Sequence, residues 1–223
     1  MNRIFTALLT TFGLTAGAQS DLPGNSVGPN SLRFSMPTVA ADDIEFIMPT
    51  KETFEGAPQF HEDEWCQLEF FQNSRLSEIQ KLLSEYNTFE KKHRTEHGWN
   101  KIYARKLARS AVFEEGHGPN SVARILDARI LPVPILTTTS RPLGQVQGGF
   151  TLALPGSVFL YVVSGVEGIT ALGALVQKGG DDAQLIKAFV SLSNRYHLIL
   201  VDWRAQQILV SATNTGQINV WRP

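Results

Sequence analysis

The stretch that decides the fold runs from Trp65 to Phe113 and reads WCQLEFFQNSRLSEIQKLLSEYNTFEKKHRTEHGWNKIYARKLARSAVF. No other part of the chain joins clear secondary-structure signals to a strong charge bias. In its first part, WCQLEFF, Cys66, Leu68 and Phe70 stand at every second position. Because successive side chains of a strand point to opposite faces, this alternation predicts a strand with these three residues on one apolar face.

An amphipathic helix is predicted next, over SRLSEIQKLLSEYNTFEKKHR, with Asn73 or Ser74 as its N-cap. The basic residues from Lys91 to Arg94 suit the C-terminal end of this helix, because the helix dipole favours positive charge there. Gly98 is the expected stop. One apolar stripe at the helical period contains Leu76, Ile79, Leu82, Leu83, Tyr86 and Phe89.

From Trp99 the period of the pattern changes to two, which predicts a long basic strand through Phe113. A helix over 101–113 is the alternative, because Ala, Lys and Arg are good helix formers. The strand is preferred because Gly98 precedes it and the chain has just left a helix. One face of this strand would carry Trp99, Lys101, Tyr103, Arg105, Leu107 and Arg109.

The N-terminal residues MNRIFTALLTTFGLTAGAQS have the pattern of a secretory signal peptide. Arg3 is followed by the apolar run Ile4–Thr15 and by small residues that fit cleavage after Ala18. The run is shorter than the roughly 20 apolar residues that span a bilayer. We therefore expect the mature protein in the periplasm or outside the cell.

The composition narrows the class of protein further. The chain has 223 residues, with 20 Lys and Arg against 21 Asp and Glu, and this balance argues against general nucleic-acid binding. The single cysteine, Cys66, excludes a disulfide within the chain, which for an exported protein fits a bacterial periplasm or exterior. No second apolar run reaches spanning length, so no membrane span is predicted.

Three segments follow from these patterns: a signal peptide over 1–18, a flexible mature N-terminus over 19–40 and a single domain over 41–223. In the domain, SVARILDARI, VEGITALGALVQKGG and DDAQLIKAFVSLSNRY predict helices, whereas GGFTLAL and SVFLYVVSG predict a hairpin. YHLILVDW, QQILVSA and QINVW predict a three-stranded meander. The expected fold class is α+β, with a mixed, largely antiparallel sheet and two main helices packed on one face.

Candidate catalytic and metal-binding residues are few. Cys66 could be a nucleophile, but its place on the predicted apolar face is typical of a buried structural cysteine. His93 and His97 lie four residues apart, with Glu90 one turn earlier, but the neighbouring lysines and arginines would repel a metal ion. We therefore predict no catalytic residue, no metal ligand and no cofactor.

Charge segregation is the strongest pattern in the chain. Glu96 is the only acid among residues 91–109, and Lys51 is the only lysine or arginine among residues 42–64. Two explanations are open: the two segments pair within the fold or are simply solvated, or the basic segment forms an exposed patch with its aromatic residues. Arg and aromatic side chains are common anchors of protein interfaces.

The predicted function is that of an exported binding protein that docks a macromolecular partner, a protein or another anionic macromolecule. An inhibitor or immunity-type protein is the concrete form. The predicted binding residues are Trp99, Lys101, Tyr103, Arg105, Arg109 and His117. One alternative is an exported hydrolase of the cell envelope that uses His61, Glu62, Glu64, Cys66 and His117. Another is a carrier with an apolar cavity beside the strand Val158–Val163.

Overall fold

A computed structural model describes residues 34–42, 44–113, 118–165, 168–213 and 216–223. The predicted signal peptide and most of the predicted flexible N-terminus lie outside these residues, and so does His117. Residues 34–40 are packed against the domain. Phe34 forms a bridge with Trp99, and the strand Thr38–Ala40 is buried, so the packed part of the chain begins before residue 41.

The helices are α1 (Lys51–Phe54), α2 (Leu76–His93), α3 (Pro119–Leu126) and α4 (Asp182–Tyr196), and 3-10 turns cover Glu62–Glu64 and Asn73–Arg75. The strands are β1 (Thr38–Ala40), β2 (Phe46–Ile47), β3 (Gln59–His61), β4 (Leu68–Gln72), β5 (Arg94–Thr95), β6 (Gly98–Trp99), β7 (Tyr103–Arg105), β8 (Arg129–Leu131), β9 (Ile135–Thr137), β10 (Pro142–Val146), β11 (Gly149–Leu154), β12 (Val158–Gly165), β13 (Gly168–Val176), β14 (Leu198–Asp202), β15 (Gln207–Ala212) and β16 (Ile218–Trp221).

Eight strands form one antiparallel sheet in the order β16-β15-β14-β4-β13-β12-β11-β8. Two meanders, β11–β13 and β14–β16, supply most of it. β4 lies between them and pairs with β13 on one side and β14 on the other. A smaller sheet has the order β2-β10-β9-β3, and the pairs β1–β7 and β3–β9 are parallel. The α+β class with a mixed, largely antiparallel sheet is therefore confirmed.

The two main helices lie on opposite faces of the large sheet, not together on one face as expected. Strand β14 is apolar at successive positions: Leu198 and Leu200 pack in the core with α4, whereas Ile199 and Val201 pack with α2. Because neighbouring side chains point to opposite faces, a strand of this kind needs cover on both sides. The smaller sheet packs on the same face of the large sheet as α2 and contacts Tyr161 of β12.

The prediction of a helix over VEGITALGALVQKGG is wrong, because its described residues form the long strand β13. β13 is buried between β12 and β4, and Ile169, Leu172 and Ala174 are all in the core. A strand buried on both faces has no polar side, so its apolar run cannot be told from a buried helix by periodicity. The helix predicted over SVARILDARI ends at Leu126, and strand β8 follows it.

The decisive stretch differs from its prediction at both ends of its helix. α2 covers the predicted residues from Leu76 to His93, but a 3-10 turn leads into it and its N-cap, Arg75, has no side-chain cap bond. The predicted long basic strand is wrong in extent: only β6 and the three residues of β7 are strand, and residues 106–111 are irregular.

Within the described residues, no helix is both long enough and apolar enough to cross a bilayer.

Gly173 of β13 tests how tightly the large sheet is packed. A Cβ at this position would lie 2.2 Å from the ring of Tyr161, which is fully buried and stacked on Trp65 with 4.6 Å between ring centroids. We expect Gly173→Ala to lower the free energy of unfolding by about 1–3 kcal/mol, as overpacked cores do. Chemical denaturation measures this, with Gly165→Ala as the control because its Cβ would meet only Thr170, at 3.7 Å. Equal stability of the two variants would contradict the packing described.

Candidate functional site

Arg105 lies inside the protein, so its prediction as an exposed binding residue is wrong. Its side chain is only 2% exposed. One Nη donates to Thr38 Oγ1 at 2.9 Å and the other to the Cys66 carbonyl at 2.8 Å. The guanidinium also lies 4.7 Å from the ring centroid of Trp203. Burial lowers the pKa of Arg105, and nearby Glu69 opposes this shift.

Arg109 is also engaged within the fold. It forms ion pairs with Asp42 and with Glu69, and its Nε donates to Asp42 Oδ1 at 3.1 Å. These three residues come from the N-terminal segment, from β4 and from the irregular segment 106–111, so the ion cluster joins three distant parts of the chain. The exposed-patch explanation predicts Arg109 as an unpaired cation on an exposed strand, and for this residue it is wrong.

Burial controls the electrostatics of this cluster. Glu69 is 1% exposed, and burial raises its pKa although Arg109 lowers it. Burial opposes the charge of Arg109 as well, but Glu69 and Asp42 keep the pKa of Arg109 well above its ordinary value. A glutamate in the middle of an apolar strand is the sequence signal that was missed, because a buried carboxylate requires a cationic partner.

Cys66 stands at the centre of the same region. Its φ of 52° lies in the left-handed region, which side chains rarely adopt. Its backbone N–H donates to the hydroxyl of Tyr161. Because the chain turns at this residue, Cys66 packs with Trp65 and Tyr161, whereas Phe70 belongs to the core on the other face of the sheet. The predicted shared face of Cys66 and Phe70 is therefore wrong, although Cys66 is fully buried as expected.

The chemistry of Cys66 is that of a protonated thiol. Burial raises its pKa well above the ordinary value, and Glu69 raises it further. Its Sγ lies 3.6 Å from an Nη of Arg109 and 3.8 Å from Asp42 Oδ2, but the positive charge of Arg109 does not offset the burial. A nucleophilic cysteine needs a stable thiolate and access for its substrate, and Cys66 has neither.

The described histidines are not brought together. His61 accepts a bond from the backbone N–H of Asp63, and His93 bonds to Asn100 at 2.9 Å. Among the hydrolase candidates, Glu64 pairs with Arg204 at 2.9 Å, and Glu62 belongs to the 3-10 turn before Trp65. In the described ranges, no group of three His, Cys, Asp or Glu residues is placed to hold a metal ion.

An exposed basic surface lies at the C-terminal end of α2. The guanidinium of Arg94 lies 5.6 Å from the ring centroid of Trp99 and 3.3 Å from Glu90, which accepts a bond from Trp99 Nε1 at 3.0 Å. Tyr103 is half-buried and its ring packs against Phe89 at 5.2 Å. We call basic aromatic surface Trp99 together with the exposed cations that lie near it in the sequence, which are Lys91, Lys92, Arg94 and Lys101.

A second exposed surface, absent from the sequence prediction, lies on β2 and α1. Ile47 is 53% exposed, Met48 75% and Phe54 39%. β2 is the outer strand of the smaller sheet. We call acidic apolar edge these three side chains together with the exposed acids of the same segment, Glu45, Glu52 and Glu55.

Two cavities in the described part of the protein lie away from the candidate residues. One lies between α3 and α4, beside Leu154, and the other lies at the C-terminal end of α4, beside His197. Neither is lined by Trp99, Lys101 or Cys66. The strand over 158–163, beside which a carrier would hold its ligand, buries Val158, Leu160 and Val162 completely in the main core.

The reactivity of Cys66 provides a first test of this description. Because thiol reagents attack the thiolate, and Cys66 is buried with a raised pKa, we expect the native protein to react with Ellman's reagent at pH 8 only as fast as it unfolds. Ser77→Cys, which adds a thiol at an exposed position of α2, is the control and should react at once. Rapid labelling of the native wild-type protein would restore the enzyme alternative.

The buried carboxylate of Glu69 provides a second test. Its pKa is raised by burial from 4.5, so the folded state binds the proton more tightly than the unfolded state. Its contribution to stability is complete below about pH 4.5 and is lost as the pH rises towards the folded pKa, with a slope of at most about 1.4 kcal/mol per pH unit. The unfolding free energy of wild type minus that of Glu69→Gln should therefore fall with rising pH.

Glu78 is the matched control, because its contribution to stability should change with pH in the opposite direction. The hydrogen bond from Arg75 lowers the pKa of Glu78, so its contribution is present above the unfolded pKa and is lost as the pH falls. The difference between wild type and Glu78→Gln should therefore rise slightly with pH. A wild-type minus Glu69→Gln difference that also rises with pH would contradict the burial of Glu69.

Comparison of the chain with protein-family models, with curated proteins and with solved structures finds no match.

Proposed function

We propose that this chain is an exported binding protein that docks an acidic protein partner through the basic aromatic surface. An inhibitor or immunity-type protein that covers an exported toxin or hydrolase is the concrete form. The near-neutral charge of the whole chain favours a protein over a nucleic acid as the partner. The pattern of the first 18 residues supports export, with Gln19 as the first residue of the mature chain.

The observation that carries this proposal is the stacking of Arg94 on Trp99 at an exposed turn between two lysine-bearing segments. The ion pairs found among the described residues do not include Lys91, Lys92 or Lys101. Arginine and tryptophan are enriched among the residues that dominate binding energy. Surrounding lysines steer an acidic partner and speed its association.

The local structure also holds this surface in place. Glu90 is buried beneath it and binds both Arg94 and Trp99, so the stacked pair keeps its geometry without a partner. Tyr103 fixes the following segment by packing on Tyr86 at 5.4 Å. A preformed surface loses less side-chain entropy on binding than a mobile one, which supports a role in recognition.

The two alternatives have weaker support. A hydrolase would need a nucleophile or an acid and base that meet in an accessible cleft. Cys66 is a buried thiol, and the described candidates His61 and Glu64 have partners of their own. A carrier would need a cavity beside 158–163, where the side chains are packed in the core instead.

A pull-down with matched charge variants tests the proposal. The bait is the mature chain, recovered from the periplasm or medium of the cells that carry the gene, and its N-terminal sequence should begin at Gln19. Wild type should retain one stoichiometric acidic protein. The double variant Lys92→Glu, Lys101→Glu should lose it, because reversed charges at the rim repel the partner and slow association.

Lys178→Glu is the matched control, since Lys178 is exposed beyond β13 and outside the basic aromatic surface. It should retain the partner as wild type does. Capture of no protein, or equal capture by the double variant and by Lys178→Glu, would refute the proposed function.

A further inference from the structure

The acidic apolar edge has no role in the proposed function. The most exposed large apolar side chains of the described structure include Ile47, Met48 and Phe54. These three residues lie within eight positions of one another in the sequence. Clustered exposed apolar side chains mark interaction surfaces, whereas scattered ones need no explanation. Methionine is flexible and polarizable and adapts well to a partner surface.

The backbone at this edge is also open. β2 pairs with β10 through Phe46 and Ile47, and no described strand pairs with its other side. An unprotected strand edge offers unpaired backbone groups to another chain. The adjacent helix α1 has a capping box between Thr50 and Thr53. Gln145, the β10 partner of Ile47, donates to the Thr53 carbonyl at 3.1 Å, which ties the residue before Phe54 to the edge.

The charge of the acidic apolar edge limits which surfaces can bind to it. Glu45, Glu52 and Glu55 are all exposed, and none of them belongs to an ion pair among the described residues. Lys51 is the only cation in the segment. A surface that covers Ile47, Met48 and Phe54 must therefore present apolar or aromatic groups surrounded by positive charge.

The basic aromatic surface of the same chain has these properties. It combines Trp99 with exposed cations. The two surfaces also border one core cluster, because Phe46, next to Ile47, and Ile102, next to Lys101, both pack against it. Two complementary surfaces on one chain allow a two-fold arrangement in which each copy offers its edge to the other's basic surface.

We propose that the chain forms a closed two-fold dimer in which the acidic apolar edge of each copy contacts the basic aromatic surface of the other. The proposal does not depend on the proposed partner protein, although it uses the same basic surface. A foreign basic segment at the edge is the competing occupant, and the experiment below separates the two.

Sedimentation velocity tests the dimer with the mature chain alone. Across about 1 µM to about 1 mM, the range of weak to moderate association, wild type should pass from monomer to dimer, and added salt should weaken the association. Met48→Asp should raise the dissociation constant at least about tenfold, because it places a charge in the apolar centre of the contact. Val220→Asp, at another exposed apolar position on the outer strand β16, should leave the dimer intact.

Charge reversal on each surface identifies which surfaces meet. The edge variant Glu52→Lys, Glu55→Lys and the basic-surface variant Lys92→Glu, Lys101→Glu should each be monomeric, because each opposes like charges in both contacts. Mixed in equal amounts they should form a heterodimer, in which both contacts again join opposite charges. All four substituted positions are exposed, and unchanged unfolding midpoints would show that each variant is folded.

A wild type that stays monomeric throughout this range would overturn the inference, whether or not a foreign segment binds the edge. An open series of larger oligomers, or the absence of dimer from the mixture, would overturn it too. The proposed function fails separately: the edge variant keeps its basic surface, so it should still capture the acidic partner. If wild type captures no acidic partner, the proposed function fails and the dimer proposal is unaffected.

Discussion

The placement of Arg109 between Asp42 and Glu69 is the interaction on which the arrangement of the N-terminal half depends. Glu69 lies in β4, the strand that joins the two meanders of the large sheet. A buried carboxylate there is tolerated only with a cation beside it, and removal of one partner from such a pair costs about 3–5 kcal/mol. The segment 106–111 supplies that cation although it has no regular structure of its own.

The second arginine extends this constraint. Arg105 has no described carboxylate within ion-pair distance, so its charge is satisfied by Thr38, by the Cys66 carbonyl and by the Trp203 ring. The left-handed turn at Cys66 is what presents that carbonyl to Arg105 while Tyr161 binds the N–H. The cysteine therefore acts through its backbone, and its thiol is packed among residues that keep it protonated.

Periodicity was sufficient to predict the elements that have one polar face. Helix α2 and helix α4 follow their sequence patterns because each has an exposed face. It failed for β13, which is buried on both faces, and for Cys66, whose positive φ breaks the alternation. Neither failure involves a weak pattern. In both cases a tertiary contact decides the local structure, and a single sequence does not contain that contact.

The candidate site shows the same limit. Trp99 and Lys101 are at the surface, but Arg105 and Arg109 of the same predicted face are engaged internally. The first explanation of charge segregation holds in part: Asp42 pairs with Arg109, and many other charges of both segments are exposed to solvent. The acidic apolar edge was missed because its three apolar residues follow no single period.

The basic aromatic surface is required both for partner binding and for the dimer. If partner binding and dimer formation use the same basic aromatic surface, the two are mutually exclusive, and a partner that binds only the monomer shifts the equilibrium away from the dimer by mass action. The coupling is reciprocal, so dimerisation lowers the apparent affinity for the partner by the same linkage. At high concentration the dimer would cover the exposed apolar edge. Dilution or an acidic partner would separate the two copies, and each monomer would then expose its basic aromatic surface.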